Sequence, residues 1–184
     1  LLAGIVYGLL VPFIFNLAHP VMISEVYLSP IGIIFLTQLT EIDQGEGMDE
    51  LIAIWEKGIY YNFILRYLIG LLFIGLIIIW FLGYLNTVGA GFKMMELFIA
   101  TFITSLFLGT LGITIANVTK NYIAGYLVAF TYFLFELMTG GDYTGKLFLF
   151  SLSRGQFEPK YYLLGISILL LGTNLIYLKY KNVD

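Results

Sequence analysis

Gly140-Gly141-Asp142-Tyr143-Thr144-Gly145-Lys146 has the G-x-x-x-x-G-K spacing of a phosphate-cradling loop. In such a loop backbone N–H groups hold the phosphates, the lysine reaches the outer ones, and a following Ser or Thr holds magnesium. Leu147 stands where that hydroxyl is needed, and no strand pattern precedes the run. The glycines are therefore read as a sharp turn, and the chain alone is expected neither to bind nor to hydrolyse ATP. His19 is the single histidine, beside Pro20, and its nearest acid is Glu25. One His with one Glu makes neither a metal centre nor a catalytic triad, so His19 is read as a polar residue at a helix end. The absence of cysteine excludes disulfides, thiolate metal sites and Cys nucleophiles. No nucleophile–base constellation remains. The expectation is a non-enzymatic chain without cofactor or metal.

Glu136 is the acid most out of place, within Tyr132-Phe133-Leu134-Phe135-Glu136-Leu137-Met138. An ionised carboxylate in hydrocarbon costs at least about 2.5 kcal/mol, so this side chain is expected to face protein or water. Two readings follow: a place on a transport pathway, or an interfacial position near the Gly140 turn, which its location favours. Glu96 and Arg66 lie nearer the ends of apolar runs, where long side chains snorkel.

The elements that must carry these residues follow from composition. Of 184 residues, 60% are hydrophobic and 11% charged. Soluble domains carry roughly 25% charged residues, and a chain this poor in charge has too little polar surface to cover itself in water. A spanning helix needs about 20 apolar residues, which gives about six spans: 1–18, 26–39, 63–82, 94–116, 122–138 and 161–178. Unbroken apolar runs of this length do not alternate as barrel strands do. The fold class is thus all-α, one polytopic transmembrane helix bundle over 1–184. Pro20 disfavours helix at His19, and Pro30 is expected to kink the second span. Gly4 and Gly8 form a small-xxx-small pair on the first, which permits close helix packing.

The polar breaks differ in kind. Residues 41–61 form the longest, with Glu41, Asp43, Glu46, Asp49, Glu50 and Glu56; within it Met48, Leu51, Ile52 and Trp55 share one face of a short amphipathic helix. Asn117 to Asn121 is a tight turn. In the break from Gly140 to Lys160, Leu147-Phe148-Leu149-Phe150 is expected to dip back into the membrane edge. Lys and Arg near the span ends are almost balanced between the two sides, so the positive-inside rule barely orients the chain. Tyr27, Trp80, Tyr84, Tyr122, Tyr161, Tyr162, Tyr177 and Tyr180 suit interfacial belts. Leu1 opens inside an apolar run with no Met and no basic stretch before it, which reads as a chain without its true N-terminus rather than a signal peptide. A formal net charge of −3 is too small to argue for a nucleic-acid partner.

The order of these pieces carries a resemblance. Thr40-Glu41-Ile42-Asp43-Gln44-Gly45-Glu46-Gly47-Met48-Asp49-Glu50-Leu51-Ile52 resembles the segment after the second span in bacterial ABC transporter permeases of the type-2 exporter class. Leu108 to Asn121 looks like that family's fourth span and tight cytoplasmic turn, and the Gly140–Lys160 break sits where the family has short re-entrant helices. The resemblance covers essentially the whole chain as a pattern of segments. The elbow helix that precedes the family's first span has no counterpart here. The resemblance implies a multi-pass permease of the bacterial cell (plasma) membrane, embedded in the lipid bilayer. Its partners would be an ABC ATPase subunit in trans and a second permease copy or a paralogous permease. Glu46, Asp49, Glu50, Leu51 and Trp55 would form the ATPase-coupling segment. From the residues alone, a secondary transporter or channel without ATP and a non-transporting assembly subunit stay open; a solvated acidic loop is the alternative for 41–61.

Overall fold

A computed structural model describes residues 20–43, 58–87 and 93–181. Helix α1 is a rod in two pieces, Pro20–Ile23 and Pro30–Asp43, joined by a π-helical turn at Ser24–Leu28. It is followed by α2 (Gly58–Thr87), α3 (Met94–Thr119), α4 (Tyr122–Thr139) and α5 (Glu158–Lys181), with short 3-10 turns at Gly145–Leu147 and Ser151–Arg154 between the last two. Among the described residues there is no strand, and five helices are long and apolar enough to cross a membrane. They correspond to the second to sixth expected spans; the first, 1–18, lies outside the described residues.

The expected second span, 26–39, is longer in the structure: Val21–Thr40 is apolar enough to cross. Pro20 opens this helix instead of merely closing the run before it, because proline's missing N–H and fixed φ suit a helix's first position. The anticipated kink is a π-turn just ahead of Pro30. Pro30 offers no N–H to the carbonyl four residues back, and the chain accommodates this by widening the preceding turn. The widened turn buries Ser24, Glu25, Val26 and Leu28 together.

Helix α3 is the axis of the bundle, packed against α1, α2, α4 and α5. It can be central because the face it turns to α1 and α4 is small: Ala100, Thr101, Thr104, Ser105, Gly109, Gly112 and Ala116 are all buried. A Cβ at Gly109 would sit 2.5 Å from Leu36 Cδ1 and 2.6 Å from the Gly32 carbonyl oxygen, and one at Gly32 would strike the Ser105 carbonyl. Backbone against backbone is how helices associate where lipid removes the hydrophobic drive between them. Gly125 brings α4 onto Gly112 and Ala116 in the same way.

Helix α2 is built differently. Phe63, Tyr67, Ile74, Ile78, Phe81, Leu82 and Leu85 face the core, while Leu65, Leu68, Leu72, Leu76, Ile79 and Trp80 are exposed. A helix apolar on every side is a buried or membrane element, and the second face of α2 is left to the surroundings. The turn between α3 and α4 is as tight as its sequence indicated. Lys120 ends α3 in the left-handed region (φ 52°), and the Asn121 side chain caps α4 by accepting from Ile123 N–H at 2.9 Å.

Candidate functional site

The chain after α4 does not stay at the surface. Gly140 and Gly141, at φ 60° and 82°, stop the helix and turn the backbone inward, the role the turn reading assigns them. Phe148, Leu149 and Phe150 are then buried. Phe150 meets Phe133 of α4 edge-on at 5.6 Å and stands perpendicular to Phe148 at 5.9 Å. Arg154 covers the outside, its guanidinium 4.7 Å from the Phe148 ring centroid, with Asp142 3.8 Å away. Gly155, at φ 73°, lets the chain leave again toward α5. The stretch from Leu147 to Phe150 thus re-enters the bundle and is wedged between helices, forming a re-entrant segment.

Beneath it lies a buried polar centre. Lys160 Nζ is 2.6 Å from Glu25 Oε1, and both side chains are 0% exposed. The same ammonium donates to Thr104 Oγ1 at 2.7 Å and to the Leu149 carbonyl. Three N–H bonds meet three acceptors, which is all that a lysine can make. Glu25 is equally well held: besides the ammonium it accepts from Leu152 N–H at 3.4 Å and Ser153 N–H at 2.9 Å. Charge-assisted bonds of this kind offset the desolvation of a buried ion. The π-turn presents Glu25 to them, and π-bulges recur at functional sites.

Glu136 approaches the centre from α4. It is 0% exposed, and its Oε2 accepts from Leu149 N–H at 3.3 Å. Glu136 therefore faces protein, one of the two surroundings expected of an acid in an apolar run. The re-entrant segment covers the end of α4 and removes the water that Glu136 would otherwise meet. Both backbone groups of Leu149 are gripped, its N–H by Glu136 and its C=O by Lys160. Nearby, Tyr132 OH donates to the Leu147 carbonyl at 3.2 Å, tying α4 once more to the same strip of backbone.

Glu25 and Lys160 were visible in the sequence but not as a pair. In the sequence Glu25 is only the acid nearest His19, and Lys160 only the end of a polar break. One signal was present: Lys160 lies in the first turn of α5, where the helix dipole disfavours a cation. A cation there needs another reason, and the buried Glu25 supplies it. Glu46, Asp49, Glu50, Leu51 and Trp55 lie outside the described residues, as does His19. Lys146 of the G-x-x-x-x-G-K run is exposed, 5.1 Å from the Tyr162 ring centroid. Among the described residues no three His, Cys, Asp or Glu side chains converge on a possible metal position. No protein-family model, curated protein or solved structure matches this chain.

Proposed function

We propose that this chain is the membrane-spanning permease subunit of an ATP-driven exporter of the type-2 class, resident in the bacterial cell membrane. The observation that supports this reading best is the order of the second half: a long fourth span, a tight turn, a fifth span, a re-entrant segment and a last span. Re-entrant backbone at membrane depth is tolerated only where protein buries it or it lines a cavity, and here it is buried against α3, α4 and α5. A separate ATPase subunit would supply the hydrolysis. Its docking element would be the acidic segment 41–61, with Glu46, Asp49 and Glu50 toward the partner and Leu51 and Trp55 toward the bundle. A second permease copy or a paralogue would complete the pathway.

The rival of another class, a secondary transporter or channel without ATP, favours ionisable groups near the midplane. Here Glu136 lies in the last turn of α4 and Lys160 in the first turn of α5, toward one end of both helices. The test is a variant with Asp49→Lys, Glu50→Lys, Leu51→Ser and Trp55→Ser, co-expressed with a candidate ABC ATPase subunit. Loss of co-purification and of transport-linked hydrolysis in vesicles, with insertion intact, is the expected outcome. Unchanged binding and coupling, or transport by the single chain without ATP, would overturn the reading.

A further inference from the structure

The two buried acids of the polar centre are held so differently that one serves as a control for the other. Glu25 has an ammonium at 2.6 Å and two backbone N–H donors. Among the described residues Glu136 has one neutral donor, the Leu149 N–H at 3.3 Å, and its buried Oε1 has no hydrogen-bond partner. Ionised carboxylates inside proteins accept several hydrogen bonds or meet a cation; Glu25 satisfies that rule and Glu136 does not.

Among the described residues, the groups around Glu136 offer no missing charge. From α5 comes Lys160, whose ammonium is committed to Glu25, Thr104 and the Leu149 carbonyl. From α1 comes Glu25, an acid already paired. On α3 the same level carries the hydroxyl of Thr104, and on α4 itself Tyr132 lies one turn away with its OH donated to the Leu147 carbonyl. The re-entrant segment brings Arg154, half-exposed and paired outward with Asp142. Counted together, Glu25, Glu136 and Lys160 are two acids and one base, all 0% exposed.

We propose that Glu136 is a proton-binding site: its Oε1 carries a proton, and the centre as folded is an ion pair beside a neutral carboxylic acid. A proton is the smallest positive charge, and it needs no set of converging oxygens such as a metal ion demands. It balances the count and removes the unpartnered anion. The site has a second property. Loss of the proton leaves a carboxylate competing for Lys160 across Leu149, so proton release and the hold on the re-entrant segment are linked. An ATP-driven permease does not require such a site; the inference rests on this geometry alone and stands or falls separately from the permease reading.

The experiment is infrared difference spectroscopy of the whole chain in lipid nanodiscs at neutral pH, reading the C=O stretch of a protonated carboxyl. Wild type and Glu25→Gln should both show the band, Glu136→Gln should lose it, and Glu136→Asp should shift it. The Asp variant keeps the test decisive if the Gln variant does not fold. Exchange of sodium for choline should leave the band unchanged. Absence of the band in wild type overturns the proposal, as does its loss in Glu25→Gln rather than at position 136. A band that appears only when sodium is withdrawn also overturns it, because a metal cation then occupies Oε1.

Discussion

Lys160→Met removes the positive member of the buried pair while keeping a long, unbranched side chain. Glu25 then stays 0% exposed with its two backbone donors and no cation. Removing one partner of a buried ion pair costs about 3–5 kcal/mol, because the other charge is left uncompensated. The lost bonds to Thr104 and the Leu149 carbonyl fall within that range, since Thr104 retains its donation to the Ala100 carbonyl. Adding Glu25→Gln to the variant takes the orphaned charge away and keeps one acceptor for the Leu152 and Ser153 N–H groups. The double variant should therefore recover about 2–3 kcal/mol of the loss, the coupling expected of groups in direct contact. Reversible unfolding in mixed micelles titrated with denaturing detergent reads these differences. Limited trypsin digestion supplies a local reading, because Arg154 lies at the exposed rim of the segment the pair holds down. Cleavage there should accelerate in Lys160→Met and slow again in the double variant. A single variant that costs under about 1 kcal/mol, or two substitutions whose effects simply add, would refute the claim that this pair fastens the segment.

Gly109→Leu should destabilise the bundle by at least about 1–3 kcal/mol, since even a Cβ there meets Leu36 and the Gly32 carbonyl; Gly165→Ala, with open space around it, should be neutral, and the same detergent titration compares them. Single cysteines at Asn121 and Tyr143, in a chain that has none, should label with impermeant maleimide from opposite sides of the membrane. Labelling of both from one side would mean that α4 does not cross.

The helices were legible because a long apolar run in lipid has few alternatives. Met94–Thr119 and Tyr122–Thr139 lie within a few residues of their expected bounds. Less legible was the start of α1, where Pro20 reads equally as a terminator or as a first helical residue; only the chain beyond it decides. The polar centre was legible in parts and not as a whole. Glu136 stood out because it interrupts an apolar run, whereas Glu25 and Lys160 each lie at the edge of one, where charges are usually solvated. Their pairing joins residues 25 and 160 through a wedge formed by residues 145–155. Periodicity reports which side of a helix is apolar, but it says nothing about which segment will later cover a helix end.

The glycine contacts on α3 have a mechanical consequence. Helices that touch backbone to backbone, as α1 does at Gly32 and α4 at Gly125, cannot slide past one another without carbonyl oxygens colliding. Side-chain layers, by contrast, shear by exchanging rotamers, the usual currency of small helix displacements. The α1–α3–α4 trio is thus geared together as one block. Helix α2 meets that block through large side chains such as Phe35 and Phe73, stacked at 6.1 Å, with no glycine seat as close as those of Gly32, Gly109 or Gly125. Motion of α2 relative to that block is thus expected as a tilt, with that aromatic layer as its pivot.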